Sequence, residues 1–329
     1  MKPAMSTYCV SISMIMLVAS VARADGYAKT KYPIFLAEGV GGLDYFGVAE
    51  ALQDRGARVC SPPDDQVPQV AGSEARAAVL IEQIEACAAQ YQVTKVNLIG
   101  YSQGGEDARV VLTNRPDLLA SVTTVGTPHT GSSGIADRII ACGAKQLLGL
   151  PCAPDEAGAL AAFSALAAVA SDPDAPVPSQ EAILQVQCQF SSGTNLLALA
   201  ACAAAGFDIG PTFDLKYPLG LPILPCSQGP AFVLGPGFKP IYLYSWGGTR
   251  TNTDANDPSD ALLSATAAYE FPGGDGLTER CSNHFGTVLR DNYPLNHLDL
   301  INQLGGETGF TDVLDIWVEH GHRLKLRGI

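Results

Sequence analysis

Lys95-Val96-Asn97-Leu98-Ile99-Gly100-Tyr101-Ser102-Gln103-Gly104-Gly105 is an apolar run that ends in a glycine-bounded serine. Its first half reads as a buried strand. Gly-x-Ser-x-Gly directly after such a strand is the nucleophile elbow, a tight turn that lifts the serine side chain off the sheet. The turn forces Ser102 into a strained backbone conformation. A side chain at Gly100 or Gly104 would collide with the crossing strand or helix. The helix-compatible Asp107-Ala108-Arg109-Val110-Val111-Leu112 that follows favours the elbow over a plain strand–helix turn.

On both sides of the elbow, strand patterns alternate with helical ones. Tyr32-Pro33-Ile34-Phe35-Leu36-Ala37 reads as a buried strand running into the glycine-rich loop Glu38-Gly39-Val40-Gly41-Gly42. A helical pattern covers 46–52, a strand Ala57-Arg58-Val59-Cys60, a helix 73–91, and a strand Ser121-Val122-Thr123-Thr124-Val125-Gly126. This alternation predicts a mostly parallel sheet with helices on both faces. With the elbow it points to an α/β-hydrolase fold. From about 134 to 221 the chain turns alanine-, leucine- and cysteine-rich, broken at Asp172-Pro173-Asp174-Ala175-Pro176. The nearly apolar 157–170 is either a packed core helix or part of a helical cap facing the site. Pro240-Ile241-Tyr242-Leu243-Tyr244-Ser245-Trp246 restores the sheet, 247–276 reads as a loop, and 310–324 as a closing helix.

Lys2, the apolar stretch 10–21 and Ala22-Arg23-Ala24 form a secretory signal peptide over 1–24. That leaves 25–329 as one α/β-hydrolase domain with its cap insertion, in an exported protein. The formal charge of −13 argues against nucleic acid and anionic membranes as partners. Nine cysteines, less Cys9 in the leader, leave an even eight, which in an exported chain suggests disulfides. Eight cysteines allow 105 pairings, and none here sits in a Cys-x-x-Cys pair of the zinc or redox kind.

A serine hydroxyl needs an imidazole to take its proton and a carboxylate to orient that imidazole. In this fold the chain order is serine, acid, histidine. Of five histidines, His297 in Tyr293-Pro294-Leu295-Asn296-His297-Leu298-Asp299 precedes a helical segment late in the chain. His129 comes before any acid in that order, His284 is a rival, and His320 and His322 are expected exposed on the last helix. Asp275 sits in Phe271-Pro272-Gly273-Gly274-Asp275-Gly276-Leu277, where glycines let the backbone present a carboxylate; an Asp-Gly turn is the structural alternative.

The chain resembles the calcium-containing, foldase-dependent bacterial true lipases typified by Pseudomonas and Burkholderia enzymes. The likeness runs through Thr30-Lys31-Tyr32-Pro33-Ile34, the elbow, Arg115-Pro116-Asp117-Leu118-Leu119-Ala120-Ser121, Pro128-His129-Thr130-Gly131-Ser132, Tyr244-Ser245-Trp246, Asp257-Pro258-Ser259-Asp260 and Asn296-His297-Leu298-Asp299. The resemblance implies a triad of Ser102, Asp275 and His297, and an oxyanion hole from the backbone N–H groups of Val40 and Gln103. It implies one structural calcium ion held by Asp257, Asp299 and the carbonyls of Gln303 and Glu307, pinning the His297 loop. It also implies a Cys226–Cys281 disulfide and a dedicated foldase as partner. Cys142 with Cys152, Cys188 with Cys202 and Cys60 with Cys87 are further candidate pairings. Glu38 and Tyr101 stand where the family usually has histidine. A carboxylate at Glu38 opposes a developing anion unless it turns away or pairs with a base such as Arg58.

The expected activity is that of a secreted carboxylic-ester hydrolase, a triacylglycerol lipase working through an acyl-enzyme. An esterase or polyester depolymerase without interfacial activation is the alternative. A catalytically weak binding protein, silenced at Glu38, is the reading from another class.

Overall fold

The inner parallel strands of the sheet are short and apolar, so each buries both faces and needs helices above and below it. In the computed structural model, which describes residues 26–42, 45–61, 67–131, 134–170, 178–269, 273–303 and 307–329, they do. The leader, Ser132, the 172–176 break and Phe271-Pro272 lie outside the described residues. The strands are β1 (Ile34–Ala37), β2 (Val59–Cys60), β3 (Val96–Tyr101), β4 (Leu119–Val125), β5 (Phe232–Leu234), β6 (Pro240–Gly248) and β7 (Thr287–Tyr293). Their order is β2-β1-β3-β4-β6-β5, with β7 also paired to β6. Every pairing is parallel except that of β5 with β6.

Helices α1 (Val48–Asp54), α2 (Ser73–Gln90) and α3 (Gln103–Asn114) alternate with the first strands. One face of the sheet, with Leu36, Ile99, Tyr101 and Trp246, packs on Trp317 and Leu324 of the C-terminal helix α10 (Val313–Leu326). The opposite face, with Phe35, Leu98 and Val122, packs on Leu80 and Ile84 of α2 and Val111 of α3. Each such fully buried apolar side chain contributes roughly 1.5–3 kcal/mol.

Among the described residues between β4 and β5 lie five helices: α4 (Ile135–Leu147), α5 (Pro154–Ala170), α6 (Gln180–Phe190), α7 (Leu196–Ala205) and α8 (Gly210–Lys216). They occupy the stretch expected to form the cap and hold a small core of their own around Ile140, Cys188, Ala198 and Cys202. All four proposed cysteine pairings are bonded: Cys60–Cys87, Cys142–Cys152, Cys188–Cys202 and Cys226–Cys281.

Two expectations are corrected by the structure, and one strand is added to those foreseen. The loop foreseen over 247–276 contains a helix, α9 (Pro258–Ala267), started by Asp257, whose carboxylate accepts the Ser259 N–H at 2.7 Å, with Pro258 behind it. Strand β7 escaped notice because it is half-exposed and polar, Thr-Val-Leu-Arg-Asp-Asn-Tyr, without a clean alternation. His320 is buried rather than exposed: it bonds the Thr123 hydroxyl at 2.9 Å and lies edge-on to Trp246 and Tyr244. Burial pushes its imidazole down to about 3, so it stays neutral.

Candidate active site

β3 ends at Tyr101 and α3 begins at Gln103, so Ser102 alone makes the turn, at φ 51° and ψ −124°. This is a left-handed conformation that costs a non-glycine residue of order 1–3 kcal/mol. The flanking glycines relieve what would otherwise be collisions. A Cβ on Gly100 would fall 2.1 Å from the Gly104 carbonyl oxygen, and one on Gly104 would fall 2.3 Å from that of Ala37.

His297 Nε2 lies 3.0 Å from Ser102 Oγ, and its Nδ1 lies 2.9 Å from Asp275 Oδ2. These three side chains come from positions 102, 275 and 297, and all are buried. Asp275 is held in turn: its Oδ1 accepts the N–H groups of Leu277 at 3.0 Å and Thr278 at 2.7 Å, and its carbonyl accepts the His297 N–H at 2.9 Å. With Nδ1–H directed at the carboxylate, Nε2 is the acceptor facing the serine. Such an arrangement can draw the hydroxyl proton as the oxygen attacks a carbonyl carbon. Tyr101, at the position where the family usually has histidine, donates its hydroxyl to the His297 carbonyl at 3.0 Å, and its ring lies 5.0 Å from the imidazole.

The other histidines do not compete for this role. His129 is buried behind the elbow, with Nε2 3.0 Å from Thr124 Oγ1 and Nδ1 3.2 Å from Glu106. Burial holds it well below the usual imidazole range. His284 is occupied by the Ser227 carbonyl and Asp291.

Gln103 is the first residue of α3, so its N–H has no acceptor within the helix and is available beside Ser102. The loop carrying Val40 approaches from β1; a Cβ on Gly39 would fall 3.0 Å from the Ser102 Cβ. Arg76 braces that loop, a role the sequence did not disclose. Its Nη2 donates to the carbonyls of Glu38 at 2.7 Å and Gly39 at 3.2 Å, its Nη1 to that of Pro68 at 2.7 Å, and its Nε to Asp107 at 2.8 Å. In a trans peptide the N–H lies opposite the carbonyl, so the Val40 N–H points away from the guanidinium. Arg58 is directed to the Lys31 carbonyl and the Tyr91 ring instead of to Glu38.

A cavity of about 60 Å³ lies over Ser102. Its roof is apolar: Ile135 and Ile139 from α4, Phe163 from α5, Val186 and Phe190 from α6. Of 157–170, expected as a core helix or part of a cap, Phe163 lines this cavity.

Near His297, Asn296 gathers carboxylates. Its side-chain N–H₂ donates to Asp257 and Asp260 at 3.0 Å each, and its backbone N–H donates to Asp299 Oδ2 at 2.9 Å. Asp260 is an addition; nothing in its spacing singled it out. Asp299 Oδ1 is buried with no hydrogen-bond partner. Burial, and secondarily Asp257 and Asp260, push its carboxyl up to about 7. An orphaned carboxylate oxygen beside two more acids fits a hard cation such as calcium. Of the other two expected donors, Gln303 follows the His297 turn, its N–H on the Leu298 carbonyl at 3.2 Å. Glu307 stands beyond 304–306, which lie outside the described residues.

No protein-family model matches the chain. It is 34% identical over 331 residues to the triacylglycerol lipase of Vibrio cholerae serotype O1, covering 94% of this chain and 93% of that one. It is 33% identical over 322 residues to the triacylglycerol lipase of Pseudomonas fragi, covering 93% of this chain and all of that one. Among solved structures, the propeptide form of a Bacillus licheniformis lipase superposes with a TM-score of 0.53 at 15% identity, covering 88% of this chain and 50% of that one. That likeness concerns the fold.

Proposed function

We propose, since this chain belongs to the bacterial triacylglycerol lipase family, that it hydrolyses acylglycerol esters through Ser102, His297 and Asp275 beneath a cap that opens at a lipid surface. The observation that carries this reading is the imidazole of His297 within hydrogen-bond reach of both Ser102 and Asp275, under an apolar roof.

His297 Nε2 takes the Ser102 proton as Oγ attacks the ester carbonyl carbon. The N–H groups of Gln103 and Val40 receive the oxyanion that forms. Asp275 holds the imidazole's orientation and stabilises its charged form. The proton on Nε2 passes to the leaving alkoxide, the diacylglycerol departs, and an acyl-serine remains. Water, deprotonated by the same nitrogen, attacks the acyl carbon; the C–Oγ bond breaks and Ser102 regains its proton as the fatty acid leaves. Asp257 and Asp299, with the carbonyls of Gln303 and Glu307, would hold one calcium ion. When bound it would offset the buried negative charge and fix the loop that bears His297. Residues 1–24 would direct export, and a foldase would assist folding.

Ser102→Ala tests the reading. It should retain the melting temperature while ester turnover falls by roughly 10³-fold or more. Turnover near the parental rate would refute the assignment. Rates on tributyrin and long-chain emulsions, compared with aliphatic polyester film, separate a cap-gated lipase from a depolymerase: only the former gains rate once substrate exceeds its solubility.

A further inference from the structure

The face of the sheet covered by α10 is not covered to its edge. α10 ends at Leu326, and beyond it the corner made by β5, β6 and β7 is left open. Phe232 pairs with Tyr242, Leu234 with Pro240, and Thr287 with Tyr244. Side chains alternate along a strand, so these residues point to the same side. The result is a groove of about 490 Å³ walled by Phe232, Leu234, Tyr242, Tyr244, Thr287 and Arg327. That volume is in the range of small-molecule sites, roughly 300–1,000 Å³.

The groove is unlike the cavity over Ser102, and it lies away from it. Tyr101, beside the nucleophile, is level with Val125 and Trp246 across the sheet. Pro240 is six residues before Trp246 on β6, about 20 Å along the strand at roughly 3.3 Å per residue. Tyr244, the near wall of the groove, is two residues before Trp246, and the groove runs from there toward Pro240.

Its chemistry is mixed in a particular way. Phe232 and Leu234 expose apolar surface on the rim. Tyr244 is buried, and its hydroxyl lies beside the Arg327 guanidinium. The Arg327 guanidinium lies 5.2 Å over the Tyr242 ring and forms no ion pair with a carboxylate among the described residues. One cation with a hydroxyl beside it and an aromatic wall suit a ligand with a negative head and an apolar body.

We propose that this groove is a second binding site, for a carboxylate carried on an aliphatic chain. Arg327 and the Tyr244 hydroxyl receive the head, and Phe232, Leu234 and Tyr242 receive the chain. A fatty acid is such a molecule and is what ester hydrolysis releases. Its identity as the enzyme's own product rests on the function proposed above; the site itself does not.

Calorimetric titration of octanoate into the Ser102→Ala protein tests the site without turnover. Octanoate should bind, 1-octanol at least about 10-fold more weakly, and acetate not measurably. Arg327→Ala in the same background should weaken octanoate by about 10-fold or more, as loss of a charge-assisted bond predicts, and Tyr244→Phe by about 3- to 10-fold. Arg327 is exposed on the last helical turn, so folding should survive its removal, which circular dichroism checks. Octanoate affinity unchanged in Arg327→Ala, or octanol binding as tightly as octanoate, would overturn the proposal, as would absence of binding. If wild-type protein fails to cleave esters but octanoate binding still depends on Arg327, the site stands and the lipase reading falls.

Discussion

Tyr101 is buried directly behind the nucleophile and does two things at once. It ends β3, and it ties the His297 carbonyl from 196 residues away. Tyr101→Phe keeps the ring and removes only that bond, leaving a buried carbonyl unsatisfied at a cost of about 1–3 kcal/mol. The loop bearing the imidazole should loosen. We expect kcat to fall by roughly 3- to 10-fold with KM nearly unchanged, measured on a soluble ester; an effect on KM alone would contradict a positioning role. Glu106, one turn into α3, presents a different case. Burial raises its carboxyl to about 7 despite the Arg109 guanidinium beside it at 2.7 Å. A folded value above the ordinary carboxylate value means the folded state binds the extra proton between about pH 4.5 and 7. Stability from this group is present at the acid end and is lost as pH rises through 7. Glu106→Gln should therefore show a shallower fall in melting temperature from pH 5 to 8 than wild type; equal slopes would count against it.

At the scale of elements, the cap is joined to the body by a polar clasp as well as by apolar packing. Gln189 on α6 accepts the Ser73 N–H at 2.9 Å and donates to the Ser73 hydroxyl at 2.7 Å, while Gln185 accepts the Gly72 N–H at 3.2 Å. These donors are the free N–H groups at the start of α2, which any helix must satisfy somehow. In the cap opening proposed above, water would take over the task as α6 lifts, so the clasp would hold the cap without locking it. Gln189→Ala removes two of the bonds, about 1–3 kcal/mol, and should raise the rate on a short soluble ester several-fold in the absence of an interface. An unchanged rate would show that α6 does not move to admit substrate. The helical block between β4 and β5 was legible from its alanine-rich composition and its interruption of the strand–helix alternation. Which of its residues touch α2 was not, because Gln185 and Gln189 look like ordinary surface glutamines until the tertiary contact is made.

Across the whole molecule, three acids that repel one another meet at Asn296, the residue before His297. Asp257, Asp260 and Asp299 converge on Asn296, and Asp299 carries an oxygen without a partner. Removing divalent ions with a chelator should lower the melting temperature by several degrees, and calcium should restore it. In Asp299→Asn protein the chelator should have little effect. A chelator that shifts neither protein would remove the calcium proposal and leave the acids as a hydrogen-bonded cluster around Asn296.

The order of strand, elbow and helix, the serine, the late histidine and the cap were all present in the linear chain. Each depends on local properties: apolar periodicity, glycine at a turn, or residue type in a fixed order. Other features depend on distances that only folding creates. Arg76 reaching the Glu38 and Gly39 carbonyls, Asp260 joining Asp257 and Asp299, His320 buried against β4, and the open corner beyond α10 combine residues far apart in the chain. No short-range pattern encodes them, because hydrogen bonds and burial are set by neighbours in space. Local sequence decides what each segment prefers to be; the packing of segments on one another decides what each side chain meets.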